Sequence, residues 1–254
     1  MSTLIFHQAA RAISELVRGS GPFRHVFGGP ARHEGATRPG ASRPAYLVFD
    51  LDLADPGLGL DLPGLSRLPL YYRFVWDDTL VAYRVLSDER IEFLGPRYEG
   101  ADEIMNEAHP DAFPPWGMTL RGYPYDPADL EDALLYGAAL GLDGLSPTDQ
   151  DEARRRIDEH LDMLGYDPLS EQLDTPTLAD YARECPGPFI QGPPGNACPE
   201  PSCPNHEVPG SMRVLALSGD EPVPGVSLFG NKYVQLIFAV CPACRSVYAS
   251  NQCD

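Results

Sequence analysis

Two close pairs of cysteines constrain this chain more than any other feature. They stand in Cys198-Pro-Glu-Pro-Ser-Cys203 and Cys241-Pro-Ala-Cys244. Zinc takes four soft ligands in a tetrahedron, and two cysteine pairs brought together by a β-hairpin supply that geometry. The 37 residues between Cys203 and Cys241 hold two strand-like runs, Met212 to Leu217 and Lys232 to Val240, so the hairpin is available. Cys198, Cys203, Cys241 and Cys244 are therefore the expected ligands of a structural Zn2+ ion. A C-x2-C alone also fits a redox pair, and a disulfide network would fit an exported chain. His206, three residues past Cys203, is an alternative ligand, while Cys185 and Cys253 are spare. Four thiolates leave no open position for water, so such a metal is structural and not catalytic.

Charge sets the next limit. Acids outnumber bases 37 to 19, a net charge of −18. Nucleic-acid binding needs cationic side chains that displace counterions, so no nucleic-acid partner is expected. A basic protein is the complementary partner. The surplus is uneven: residues 1–45 carry a net +4, residues 46–184 a net −20 and residues 185–254 a net −2. Residues 99–184 alone hold 21 acids against five arginines. No apolar run approaches the length of a membrane span, and Arg11, Glu15 and Arg18 interrupt any secretory core near the start. A cytoplasmic location away from membranes is expected.

Periodicity divides the chain. Residues 4–18 place Ile5, Ala9, Ile13 and Leu16 at helical spacing, which predicts a leading helix. Tyr46 to Leu51 reads as a strand. Leu70 to Trp76 and Leu80 to Leu86 flank Asp77-Asp78-Thr79 and read as a hairpin that Ile91 to Leu94 extends. Pro127 to Leu140 reads as a helix. Ser146-Pro-Thr-Asp149 is a helix start with serine as cap, followed by inward Ala153, Ile157, Leu161 and Leu164. Thr177 to Arg183 reads as a third helix, and Arg245 to Ala249 as a last strand. The expected fold class is α+β: two antiparallel β-rich lobes with an acidic helical insertion and a C-terminal zinc knuckle. The divisions are residues 1–125 with a leading helix, 126–184 as the insertion and 185–254 as the zinc-binding lobe, together one compact unit. Each half runs from a Gly-Pro turn to a strand near an acid and then to an aromatic strand. Both an internal duplication and chance similarity among short strands fit that pattern.

No catalytic constellation stands out. The chain has no G-x-S-x-G elbow, phosphate loop or H-E-x-x-H spacing, and its histidines are dispersed. Asp50, Asp52 and Asp55 cluster at a strand end, where they can cap a turn or bind a cation. The expected function is a non-catalytic binding protein that shields a basic partner through its acidic surface; an enzyme is not expected, and one with an unrecognised site is the alternative.

Several separated patches resemble the YwqG-like bacterial proteins. These are Phe27-Gly-Gly-Pro30, Ala45-Tyr-Leu-Val-Phe-Asp-Leu-Asp52, Pro188-Phe-Ile-Gln191, and the run from Phe238 through Cys241-Pro-Ala-Cys244 to Gln252-Cys-Asp254. The family's strand pattern L-x-Q-I-(D/N) departs here, since its glutamine falls at Val48 and at Ala216. The eukaryotic programmed-cell-death-2-like proteins show a more distant similarity, β-rich with paired cysteine knuckles. The first resemblance implies an immunity-type protein that neutralises a toxin; the second implies a chaperone of a basic ribosomal protein. Fold analogy fixes neither.

Overall fold

The computed structural model describes residues 3–7, 10–140, 145–163 and 197–253. Eleven strands account for most of the regular structure. They are β1 (Thr3–His7), β2 (Ala12–Arg18), β3 (His25–Phe27), β4 (Tyr46–Asp52), β5 (Arg67–Tyr72), β6 (Leu80–Ser87), β7 (Arg90–Phe93), β8 (Trp116–Gly122), β9 (Arg213–Ser218), β10 (Val234–Val240) and β11 (Ser246–Cys253). Two helices, α1 (Leu130–Ala139) and α2 (Pro147–Met163), lie between β8 and β9. The expected helix over Thr177–Arg183, the Pro188–Gln191 patch and Cys185 lie outside the described residues. Among the described residues no helix is long and apolar enough to cross a membrane.

All eleven strands form one antiparallel sheet, in the order β5-β4-β3-β8-β2-β1-β9-β10-β11-β6-β7. This corrects the expected α+β class with two lobes and an acidic helical insertion: the protein is mostly β. Early and late strands interleave, because β1 pairs with β9 and β11 pairs with β6. The C-terminal strands therefore fill the middle of the sheet instead of building a second lobe. The helices cover part of its outer face. Ala133, Leu135, Tyr136 and Leu140 of the α1 segment, with Ala153 and Ile157 of α2, pack on Leu4, Phe6, Ile13, Leu217 and Ile237. The serine cap of α2 forms as its sequence implies: Asp149 N–H donates to Ser146 Oγ at 3.3 Å, and the hydroxyl donates to Asp149 Oδ2 at 2.8 Å.

The leading segment is a hairpin, not a helix. Leu4 and Phe6 face the helices while Ile5 faces the main core, and in β2 Ile13 and Leu16 divide in the same way. Both faces of these strands are covered, so both carry apolar residues. That double covering fills in the period-two alternation and leaves a pattern that matches a helix.

The expected hairpin over residues 70–86 also does not form. β5 pairs with β4, β6 pairs with β11 and β7, and the two strands lie toward opposite ends of the sheet. The chain from Arg73 to Thr79 instead crosses between those ends. Phe74 has φ +48° there, a left-handed conformation that interrupts strand geometry. Arg73, almost fully buried, binds Asp78 at 2.6 Å, also binds Asp102, and lies 4.0 Å over the Tyr98 ring. The sheet curls until β5 meets β6 and β11. Tyr83 on β6 bridges the seam: its hydroxyl accepts from Tyr71 N–H at 2.8 Å and donates to the Pro69 carbonyl at 2.9 Å.

Tyr83 is fully buried, so Tyr83→Phe leaves a buried N–H and a buried carbonyl without that partner. Such groups cost roughly 1–3 kcal/mol each when unsatisfied. Chemical denaturation of Tyr83→Phe should show a loss of that order. An unchanged midpoint would mean that the phenol contributes nothing to the seam.

Candidate metal centre

Cys241 follows directly on β10, and Cys241 to Arg245 form the turn into β11. Cys241 N–H donates to the Ser246 carbonyl at 2.8 Å, and Arg245 N–H donates to the Cys241 carbonyl at 2.9 Å. Arg245 closes the turn with φ +64°. Cys198 and Cys203 lie on the facing loop. Its tight turn is held by Cys203 N–H on the Glu200 carbonyl at 3.0 Å, and by the Glu200 carboxylate, which accepts from the Ser202 N–H and hydroxyl. Ser211 ties the loop's ends, accepting from Cys198 N–H and donating to the Asn205 carbonyl, each at 3.0 Å. Met212, Ala239 and Tyr248 pack beneath the sulfurs.

These elements bring the four expected sulfurs together. Cys198, Cys203, Cys241 and Cys244 place their Sγ atoms within 4.8 Å of one another, with 3.4 Å between Cys198 and Cys244 and 3.8 Å between Cys203 and Cys241. A tetrahedral ion with ligand bonds near 2.3 Å requires sulfur–sulfur edges of about 3.8 Å. The cluster is therefore the right size to hold a metal ion. Cys198, Cys203 and Cys241 are buried and Cys244 is partly exposed.

Burial and crowding oppose ionisation of the cluster as a whole. Burial pushes the Cys198 and Cys244 thiols above their ordinary range. Burial acts on Cys241 in the same sense, but the backbone N–H groups of Cys244 and Ala243 outweigh it and hold this thiol low. Asn205 adds donors to both arms, from its backbone to Cys203 Sγ at 3.4 Å and from its side chain to Cys241 Sγ at 3.7 Å. Sulfurs so close cannot all ionise without a positive charge among them.

His206 stands outside the four-sulfur cluster. Its Nδ1 lies 3.0 Å from the Cys198 carbonyl and so donates to it, while Nε2 lies 3.7 Å from Glu207. The clustered aspartates do not converge on a cation either. Asp50 is buried between Arg32 and Arg67. Asp52 accepts from the N–H groups of Arg24 and Ala54, and the first of these does most to hold its carboxyl below the usual range. Asp55 caps a single 3-10 turn at Pro56–Leu58 through Gly57 N–H and meets His25 Nε2 at 2.8 Å. This buried His–Asp pair was not anticipated from the sequence. His25 Nδ1 accepts from Asp52 N–H at 3.2 Å, so Nε2 carries the proton and donates to Asp55. Both ring nitrogens are thus committed, and the pair has no free base to offer a substrate.

A groove of about 310 Å3 opens between residues 106–114 and 225–227. His109 lines it, with its ring against Tyr46, Phe74 and Phe113, and burial lowers its pKa, which keeps it neutral. Comparison with family models, with curated proteins and with solved structures finds no match to this chain.

Cobalt(II) added to the reduced, metal-free protein should give the intense charge-transfer bands of four thiolates. His206→Ala should leave that spectrum unchanged. A spectrum with a nitrogen or water ligand, altered in His206→Ala, would move the histidine into the ligand set.

Proposed function

We propose that this is a non-catalytic binding protein whose paired knuckles are clamped by structural zinc and whose acidic surface receives a basic protein partner. The observation that carries the reading is the closed set of four cysteine sulfurs. Tetrahedral thiolate sites select zinc or iron among biological metals, and zinc alone brings no redox chemistry. With every ligand position filled by the chain, the ion has no place for water or substrate, so its contribution is to folding. The knuckle loop has little else to hold it: the core beneath it is small, and Val208 and much of the 204–211 stretch are exposed. A cytoplasmic, reducing setting suits the reading, because it keeps the four thiols available to metal.

The partner is argued from charge. The described part of the acidic segment presents α2, whose outer face carries Asp151, Glu152, Asp158 and Glu159. Arg155 and Arg156 pair with Glu152 and Glu159 and neutralise part of that face. Arg154 lies 4.0 Å from Asp151, and both Asp151 and Asp158 stay exposed and add to a chain with 18 excess negative charges. A field of that sign speeds encounter with a cationic protein and weakens as salt screens it. An immunity-type protein that masks a basic toxin combines these traits: it needs a stable scaffold, a charged face and no catalysis.

Two measurements test this. Protein purified without added metal should contain one zinc per chain, and Cys241→Ser should lose it together with the order of the knuckle loops. Structural zinc contributes about 10 kcal/mol or more of binding free energy, so the loss should be large. A metal-free wild-type protein with full stability would remove the zinc reading. For the partner, proteins captured on the intact protein from its native cells should include a basic protein that elutes with salt. Asp151→Arg with Asp158→Arg should slow its association and flatten the salt dependence, while zinc content stays the same. Binding that ignores both salt and the double variant would remove the acidic-face reading.

A further inference from the structure

The sulfur cluster is asymmetric in ways that a purely structural clamp does not require. Three of its sulfurs belong to buried residues, and Cys244 is the one partly exposed residue of the four. The sulfurs also fall into two pairs, each joining one knuckle to the other: Cys203 with Cys241, and Cys198 with Cys244. The first pair shares Asn205, whose backbone and side-chain N–H groups point at one sulfur each. Cys244 Sγ lies 3.1 Å from the Ser246 hydroxyl, and its partner sulfur on Cys198 is the nearer one, at 3.4 Å.

We propose that the Cys198–Cys244 pair is a site of oxidative modification, at which a peroxide converts the two thiolates to a disulfide and so releases the metal ion. The proposal rests on the reading of the cluster as a zinc centre. Oxidant-sensitive cysteines share three traits: thiolate character, access to solvent and an adjacent resolving cysteine. Metal ligation supplies the first, the partial exposure of Cys244 the second and Cys198 the third.

The chemistry balances with hydrogen peroxide as the oxidant. The Cys244 sulfur attacks one peroxide oxygen. An S–O bond forms, the O–O bond breaks and hydroxide leaves, which gives a sulfenic acid. The Cys198 thiolate then attacks the Cys244 sulfur. The S–S bond forms, the S–O bond breaks and a second hydroxide leaves. Two thiolates have lost two electrons, and one peroxide has been reduced to two hydroxides, which water buffers. The sulfurs must close from 3.4 Å to about 2.0 Å, a movement confined to two side chains and the turns that carry them. The ion then keeps only Cys203 and Cys241 and dissociates, since a structural zinc site needs four ligands. The new bond links the same two knuckles that the metal linked, so the sheet keeps its C-terminal hairpin while the knuckle loop changes its anchoring.

The test uses the full-length, zinc-loaded protein. Zinc is first counted by metal analysis. Hydrogen peroxide is then titrated in the presence of a chromogenic zinc chelator, and the disulfides formed are mapped by peptide mass spectrometry over all six cysteines. The expected result is one zinc released per peroxide consumed, with Cys198 joined to Cys244 and Cys203 and Cys241 still reduced. A dithiol with added zinc should restore the starting state. Cys244→His keeps a fourth ligand but removes the attacking thiol, and should slow zinc release severalfold. A first disulfide between Cys203 and Cys241, one that recruits Cys185 or Cys253, or zinc retained under a large excess of peroxide overturns the proposal and leaves structural zinc standing. A protein that carries no zinc before peroxide is added overturns both.

Discussion

Strand β10 has no face open to water, and the rest of the molecule is arranged to cover it. All seven of its residues are buried. Val234, Leu236, Phe238 and Val240 point into the main core. Ile237, on the opposite face, lies under the helices, and Ala239 lies under the cysteine knuckles. A strand covered on both sides needs two separate lids, and the chain supplies one as a helix pair and the other as a metal-sized cluster of sulfurs. The knuckles are thus part of the same packing problem as the core, because the strand that buries Phe238 runs directly into Cys241.

The two lids hold by different physics. The helix pair gains stability from apolar area, with Ala133, Leu135, Tyr136, Ala153 and Ile157 set against the sheet. The knuckle lid has too few apolar residues for that, and its turns spend their backbone groups on tight internal bonds. What it has is four sulfurs at ligand spacing. A small module of this kind usually needs a metal or a covalent link in place of a core. The acidic residues of α2 serve neither lid. Their pairing with Arg155 and Arg156 limits self-repulsion along one face.

Features decided by near neighbours were legible in the sequence. The spacing of the cysteine pairs marked the four sulfurs that converge, and the Ser146 to Asp149 cap marked the start of α2. The strands around Val48, Leu215 and Phe238 announced themselves by dense apolar runs. Features decided by distant partners were not legible. The segment from Thr3 to Arg18 carries apolar residues on both faces, so its alternation is hidden. β8 includes Gly117, Thr119 and Arg121 and has little strand signal, yet it lies between β2 and β3. β5 and β6 are adjacent in sequence and look like a hairpin. The left-handed Phe74 and the buried Arg73, which binds Asp78 nearby and Asp102 farther along the chain, mark the crossing between opposite ends of the sheet. The His25–Asp55 pair escaped for the same reason, since thirty residues separate its members.

The interleaved strand order bears on how the chain reaches its native state during synthesis. β1 finishes its ladder only when β9 arrives, and β6 only when β11 arrives, after most of the chain has been made. Until then the nascent protein carries two unfinished sheet edges with apolar faces on either side. Pairings of such long sequence separation form slowly, and open edges invite other chains to pair with them. β11, last in chain order of the eleven described strands, is inserted between β10 and β6 and brings together the two parts of the sheet. Its entry follows the Cys241–Cys244 turn, so the second half of the sulfur cluster and the final closure of the sheet are delivered by the same few residues. Assembly of the sulfur cluster and completion of the sheet are in this way a single late event.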